Sequence, residues 1–243
     1  MAVSGLEVGR VAGVWRYPVK SMAAEPLERV EVSWHGLAGD RRWAFIRDGL
    51  VRSGFPWLTI RERPEMRHYR PLLVDASRPD TSPTIVRTPA GEEFDVVDPA
   101  LAAELGEGVR VIKQNVGVFD VMPLSLISTQ SVAGAGVLVD AELSVARFRP
   151  NVLVETNTDV EFPEDAWVGA VLKIGELRMR VDQRDERCVM VNIDPESAER
   201  NPAILRAIAR NRQACLGVYG STVTPGWVAV GDPIVLEQQP SWS

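Results

Sequence analysis

Short runs of apolar or alternating apolar and polar residues, each closed by glycine, proline or aspartate, recur along almost the whole chain. Alternation with a period of two marks a strand with one buried face. The pattern predicts strands over 8–17, 27–33, 43–47, 71–75, 84–88, 152–155, 177–181 and 189–193. Near the end, 219–223 and 227–230 flank Thr224-Pro225-Gly226, which reads as a hairpin around a tight Pro-Gly reversal. A last strand over 234–236 follows Gly231-Asp232-Pro233. So many short strands predict a mainly β fold with some α, made of barrels or strongly curved sheets.

Helical signals are fewer. Asn201 can cap a helix with Pro202 in its first turn, and Ile204, Leu205, Ile208 and Ala209 then share one apolar stripe. A shorter helix is predicted over 99–105. The polar, proline-rich stretch 77–83 reads as a loop, and strand-like runs resume after it. Gly134-Ala135-Gly136 is a lone G-x-G that fails the dinucleotide pattern and reads as a turn. Trp167 reads as core. The change from strand-rich segments to the stretch bearing the chemistry falls near 117–123, which divides the chain into 1–118 and 119–243.

The chain has 243 residues, 45% hydrophobic and 25% charged, enough to bury one large core or two modest ones. With 27 Lys and Arg against 33 Asp and Glu, the net charge of −6 gives no long-range attraction to nucleic acid or to an anionic membrane, and neither is expected as a partner. A small anionic ligand would need a local cluster of cations. Two cysteines, Cys188 and Cys215, are too few for a disulfide scaffold, and no C-x-x-C pair is present. A reducing compartment fits. No basic segment leading into an apolar stretch opens the chain, and no apolar run is long enough to span a bilayer, so a cytoplasmic, unanchored protein is expected.

The best candidate for chemistry is Cys188, where the charged run Arg184-Asp185-Glu186-Arg187 meets apolar sequence. A cysteine in a hydrophobic run is usually an inert packing residue, whereas one beside arginines at a strand mouth can become a thiolate and bind a soft metal. Three remote segments carry further cations. Tyr17-Pro18-Val19-Lys20-Ser21 places a point charge and a hydroxyl at a strand end, as an anion site or as a solvated lysine. Asp40-Arg41-Arg42-Trp43 offers either a guanidinium for an anion or a local ion pair with Asp40; alternation turns one arginine inward without choosing which. In Arg147-Phe148-Arg149-Pro150-Asn151, the proline favours an extended Arg149, and a buried Arg and Asn need a carboxylate or a polar ligand to answer them. His35 and His68 pair with no nucleophile motif, which disfavours hydrolytic triads and histidine zinc sites. Cys215 lacks cationic neighbours and reads as packing.

Five segments in order, Tyr17-Pro18-Val19-Lys20-Ser21, Gly39-Asp40-Arg41-Arg42-Trp43, Arg147-Phe148-Arg149-Pro150-Asn151, the run from Arg187-Cys188 to Asp194-Pro195, and the closing stretch 228–236, resemble the MOSC (molybdenum cofactor sulfurase C-terminal domain) family. The resemblance covers nearly the whole chain and is to the subset with an N-terminal MOSC β-barrel-like domain, which includes the mitochondrial amidoxime-reducing components. It implies an N-terminal barrel-like domain, a C-terminal MOSC β-barrel and a molybdenum cofactor (Mo-molybdopterin) whose metal takes its protein thiolate from Cys188. By the same resemblance Lys20, Ser21, Arg41, Arg149, Asn151 and Arg187 would hold the phosphate and pterin, with Ser125 and Ser128 either cofactor contacts or polar residues in a buried strand. Thiolate ligation suits soft and redox metals.

The implied function is a molybdenum oxidoreductase reducing small N-hydroxylated or N-oxygenated compounds. The iron-sulfur spacing C-x4-C-x2-C is missing, so electrons are expected from a separate electron-transfer protein. The alternative is a sulfur or molybdopterin carrier with Cys188 as persulfide or cofactor ligand.

Overall fold

The structure is a computed structural model that describes residues 5–50 and 53–237. In chain order the strands of the first half are β1 (Gly5–Arg16), β2 (Glu25–Leu27), β3 (Arg29–Ser33), β4 (Gly36–Leu37), β5 (Trp43–Arg47), β6 (Arg70–Leu73), β7 (Thr84–Arg87), β8 (Glu93–Asp95) and β9 (Val109–Lys113). Those of the second half are β10 (Leu124–Ser128), β11 (Val152–Thr156), β12 (Val171–Ile174), β13 (Leu177–Glu186), β14 (Cys215–Thr224), β15 (Gly226–Ala229) and β16 (Pro233–Glu237). The α-helices are α1 (Pro99–Leu105), α2 (Thr129–Val137) and α3 (Pro202–Arg212). No helix among the described residues is long and apolar enough to cross a membrane.

Seven strands close a barrel in the order β11-β10-β14-β13-β12-β16-β1, with β1 pairing back to β11. Closure removes the unpaired edges that an open sheet would leave. The neighbours β10 and β11 run parallel while the other adjacent pairs run antiparallel, and a parallel pair needs a crossover, which α2 supplies. Inward alternation fills the barrel with Val11, Val14, Leu126, Val154, Leu172, Met179, Val218 and Ile234. The strand β1 lies before residue 118 yet closes this C-terminal barrel, and β15 pairs with β3, so the two halves of the sequence share sheets. Around Phe45, Ile60, Met66, Leu101 and Leu105 a second core joins β5, β9, α1 and the segments between them. A third packs α2 and α3 on the outside of β10 and β14 through Ile127, Ile204, Ile208 and Leu216.

The two helices with clear start signals form as read. Asp98 accepts from the Ala100 amide and Asn201 from the Ala203 amide, each with a proline in the first turn. Stretch 77–83 is a loop and Trp167 is buried in the barrel core. Four expectations are corrected.

The segments 219–223 and 227–230 do not form a hairpin. Both edges of β14 are taken, by β10 and β13, so the Pro225-Gly226 corner sends the chain to β3 instead. The predicted strand 189–193 is a 3-10 turn, Val189–Asn192, with Cys188 at its N-cap position; Arg147 Nη1 donates to the Val191 carbonyl at 3.1 Å, and the Asn192 side chain accepts from the Leu205 amide. Gly134 and Gly136 lie inside α2, where a Cβ at Gly134 would meet the Phe162 ring at 2.8 Å and one at Gly136 the Ala141 carbonyl oxygen at 2.6 Å; they mark close packing rather than a turn. Finally, β13 runs beyond Val181 to Glu186 because its next fully buried position is a carboxylate, Asp185, which no hydrophobic pattern reveals.

Candidate functional site

A cavity of about 170 Å3 opens where the barrel rim meets the 17–22 loop, the Arg41 turn and the segment 119–122. Of the residues singled out in sequence, Lys20, Ser21, Arg41, Ser125, Arg149, Asn151, Arg187 and Cys188 line it. Ser128 does not. It ends β10, its hydroxyl donates to Glu164 Oε2 at 2.6 Å and accepts from the Ser131 amide, and so it caps α2. The reason is register: Ser125 and Ser128 are three apart, an odd step that carries a strand residue to the other face.

Three of the cavity residues hold left-handed backbone conformations without being glycine: Ser21 at φ 68°, Arg41 at φ 50° and Arg149 at φ 52°. Such conformations cost free energy and concentrate where side chains must be aimed. Arg149 therefore corrects the extended conformation expected before Pro150. The turn at 149 throws its guanidinium back over the Tyr17 ring, 4.3 Å from the ring centre, and Arg41 stands 4.6 Å from the same ring. Arg41, not Arg42, faces the cavity. Arg42 Nε bonds Asp80 at 2.7 Å outside it.

Beneath the two guanidiniums lies a buried polar knot. Asp40, with no exposed surface, accepts from the Tyr17 amide at 2.7 Å, from Asn151 Nδ2 at 3.2 Å and from Arg41 Nη1. Asn151 also donates to the Trp15 carbonyl and accepts from both the amide and the hydroxyl of Ser125. Asn151 and Ser125 are thus saturated by protein, as buried polar groups must be, and they line the floor. The Arg41–Asp40 pair foreseen as a surface contact is an internal one.

Lys20 is buried, with Nζ 2.5 Å from Asp120 Oδ1 and 3.1 Å from the Val118 carbonyl. Burial lowers its pKa despite the attraction of Asp120. Arg149 makes no direct carboxylate pair among the described residues; its Nη2 donates to the Met22 carbonyl at 2.8 Å, and burial, reinforced by Arg41 and only partly offset by Tyr17, Asp40 and Asp120, pushes its pKa down to about 10. Arg187 donates to the carbonyls of Leu216 and Phe148 and pairs with Asp185 at 2.9 Å, while its Nη2 is buried without a partner. A Cβ at Gly217 would sit 3.1 Å from that Nη2, so glycine keeps the space open. Asp185 is raised to about 6 because burial outweighs Arg187 and the hydrogen bond to Tyr219. Burial likewise raises the Tyr219 hydroxyl. Cys188 is half-buried at the rim beside these groups.

Six cationic side chains, counting Arg61 and Arg147, face three carboxylates around one thiol. An acidic protein thus carries a positive cavity. Asp120 and Tyr219 escaped the sequence reading, and Asp185 entered it only as part of a charged run. None carried a usable signal: even Asp185, at the parity of Leu177, Met179 and Val181 along β13, follows an exposed Gln183 and register shifts that break the alternation.

The site is thus a closed barrel with a thiol and a group of guanidiniums at its rim, a setting suited to a small anionic group. The MOSC domain family matches residues 114–235, and the MOSC N-terminal beta barrel domain matches 8–116. The chain belongs to the MOSC family. It is similar to human mitochondrial amidoxime-reducing component 1, 22% identical over 95% of this chain and 83% of that protein. It is also similar to the molybdenum cofactor sulfurase of Drosophila mojavensis, 26% identical over 84% of this chain but only 30% of that longer protein. Among solved structures, the YuaD protein from Bacillus subtilis shares the fold, with a TM-score of 0.53 at 13% identity, covering 97% of this chain and all of that one.

Proposed function

We propose that this protein is a molybdenum-cofactor-binding oxidoreductase that reduces small N-hydroxylated or N-oxygenated compounds with electrons from a separate electron-transfer protein. The observation that carries the reading is the convergence of Lys20, Arg41, Arg149 and Arg187, from distant parts of the chain, on one cavity that also holds Cys188. The residues present suit the group: the unpartnered Arg187 Nη2 and Arg149, which has no direct carboxylate pair among the described residues, fit an anionic, phosphate-bearing ligand, and a half-exposed thiol fits a soft metal. The similarity to amidoxime-reducing components supports the redox direction.

In this reading Cys188 is the protein's metal ligand, Lys20, Ser21, Arg41 and Arg149 bind the phosphate and pterin, Arg187 holds the wall beside the thiol, and Asn151 with Ser125 fixes the floor. When bound, the cofactor supplies two-electron redox chemistry, which side chains cannot. The chain's own part is to bind the group, to orient it and to present the Cys188 sulfur to the metal.

The test is purification from cells that make molybdopterin, followed by measurement of metal, pterin and reduction of an N-hydroxylated substrate by an artificial donor. Near-stoichiometric molybdenum with turnover is expected, and Cys188→Ser should abolish turnover while the far-ultraviolet circular dichroism is unchanged. Equal turnover by the variant would refute the ligand role. Bound pterin without turnover, together with sulfane sulfur on Cys188, would instead support the carrier reading to which the sulfurase similarity points.

A further inference from the structure

A second cavity, of about 190 Å3, lies on the other side of Arg149 and is lined by Trp15, Arg67, Val145, Arg149, Pro150 and Pro195 among others. Its polar groups are unbalanced. Arg67 is 6% exposed; its Nη1 donates to the Asp194 carbonyl, and its Nε is buried without a partner among the described residues. The carboxylate of Asp194 is already engaged by Arg147 Nη2 at 2.7 Å and by the amides of Glu196 and Ser197 at 2.9 and 3.0 Å. Arg149 has no carboxylate in direct ion-pair contact among the described residues, and only Asp40 and Asp120, beyond that reach, act on its charge.

Burial, then the neighbouring Arg149 and Arg147, push the Arg67 pKa down to about 10 against the single attraction of Asp194. Guanidiniums do not give up their protons under ordinary conditions, so two crowded, weakly countered positive charges face a shared space. Buried charge without a counter-charge is costly. The rest of the wall is apolar: an indole, two prolines and a valine. Two guanidiniums together with flat apolar surface in one cavity match an organic acid better than a fully hydrated inorganic anion.

We propose that this cavity is a binding site for a small organic carboxylate, its carboxylate held by Arg67 and Arg149 and its carbon skeleton lying against Trp15, Val145, Pro150 and Pro195. The site is argued from this cavity alone, although it shares Arg149 with the first. Because Arg149 lines both cavities, an acid bound here competes for its guanidinium with any anion in the first.

Calorimetric titration of the purified protein with benzoate tests it. Saturable one-to-one binding is expected, weakened at least tenfold by Arg67→Met. Ala146→Phe fills the same space from an exposed position without replacing either arginine, and should weaken binding as much, whereas Lys20→Met in the first cavity should leave benzoate affinity within about twofold. No saturable binding would overturn the proposal. So would undiminished binding in both Arg67→Met and Ala146→Phe, or an equal loss in Lys20→Met, which would put benzoate in the first cavity. Inorganic phosphate binding as tightly as benzoate with the same dependence on Arg67 would overturn the organic acid as ligand.

Discussion

The segments around Arg41 and Arg149 deliver the same chemical group to the same aromatic ring by the same backbone device, a left-handed residue, yet they leave it in opposite electrostatic states. Arg41 sits next to fully buried Asp40; burial works against its charge, but Asp40 more than restores it and its pKa rises. Arg149 bonds a backbone carbonyl and pairs directly with no carboxylate among the described residues; Tyr17, Asp40 and Asp120 offset its burial only in part, and its pKa falls to about 10. A cation balanced inside the protein serves the scaffold, while one left unbalanced is stabilised only when a ligand brings negative charge. The site's appetite for an anion is therefore concentrated on the Arg149 side. Two cavities meet there.

The largest expected effect breaks the balanced arm. Asp40→Ala would strand Arg41 and remove acceptors from Tyr17 and Asn151, and loss of one partner of a buried pair costs about 3–5 kcal/mol. Urea unfolding measures it, and a loss below about 1 kcal/mol would show that Asp40 is not holding the knot.

Next comes the buried carboxylate between Arg187 and Tyr219, which lies on the Arg41 side of the contrast. Asp185 has a folded pKa of about 6 against an ordinary 3.8, so the folded state holds its proton more tightly than the unfolded one. Its contribution to stability is therefore greatest at low pH, declines as pH rises from about 4 to about 6, and stays low above that; the span is roughly 2–3 kcal/mol. Subtracting the stability–pH curve of Asp185→Asn from that of the wild type should reveal this decline. A flat difference would remove the shift.

The smallest change in stability belongs to the unbalanced arm. With no carboxylate to strand, Arg149→Met should alter unfolding free energy by no more than about 1 kcal/mol. Retention of molybdenum and pterin on dialysis should nonetheless fall at least tenfold, about 1.4 kcal/mol of binding. If Arg149→Met instead unfolds the protein as Asp40→Ala does, the two arms are alike and the contrast fails.

Much of this was readable from residues alone. Alternation placed β5 and β7, the Asn201 cap with Pro202 placed α3, and the residues aligned with known motifs included eight that meet in the first cavity. What was missed had no local signature. The helix α2 lacks an apolar stripe because its glycines press against Phe162 and Ala141, and β13 hides its last inward position behind an aspartate. Ser128 sat in the right strand at the wrong parity.

By itself the sequence determined the β-rich character, the helix starts and the kinds of side chain available for an anionic ligand, because turn chemistry, capping and alternation act within a few residues. Only the tertiary structure decided that β1 crosses to close the C-terminal barrel, that Pro225-Gly226 leads away from β14, and that Asp40 neutralises Arg41 while Arg149 goes without. Those outcomes depend on which strand edges are already occupied and on which charges meet out of water, and both are settled between segments far apart in the chain.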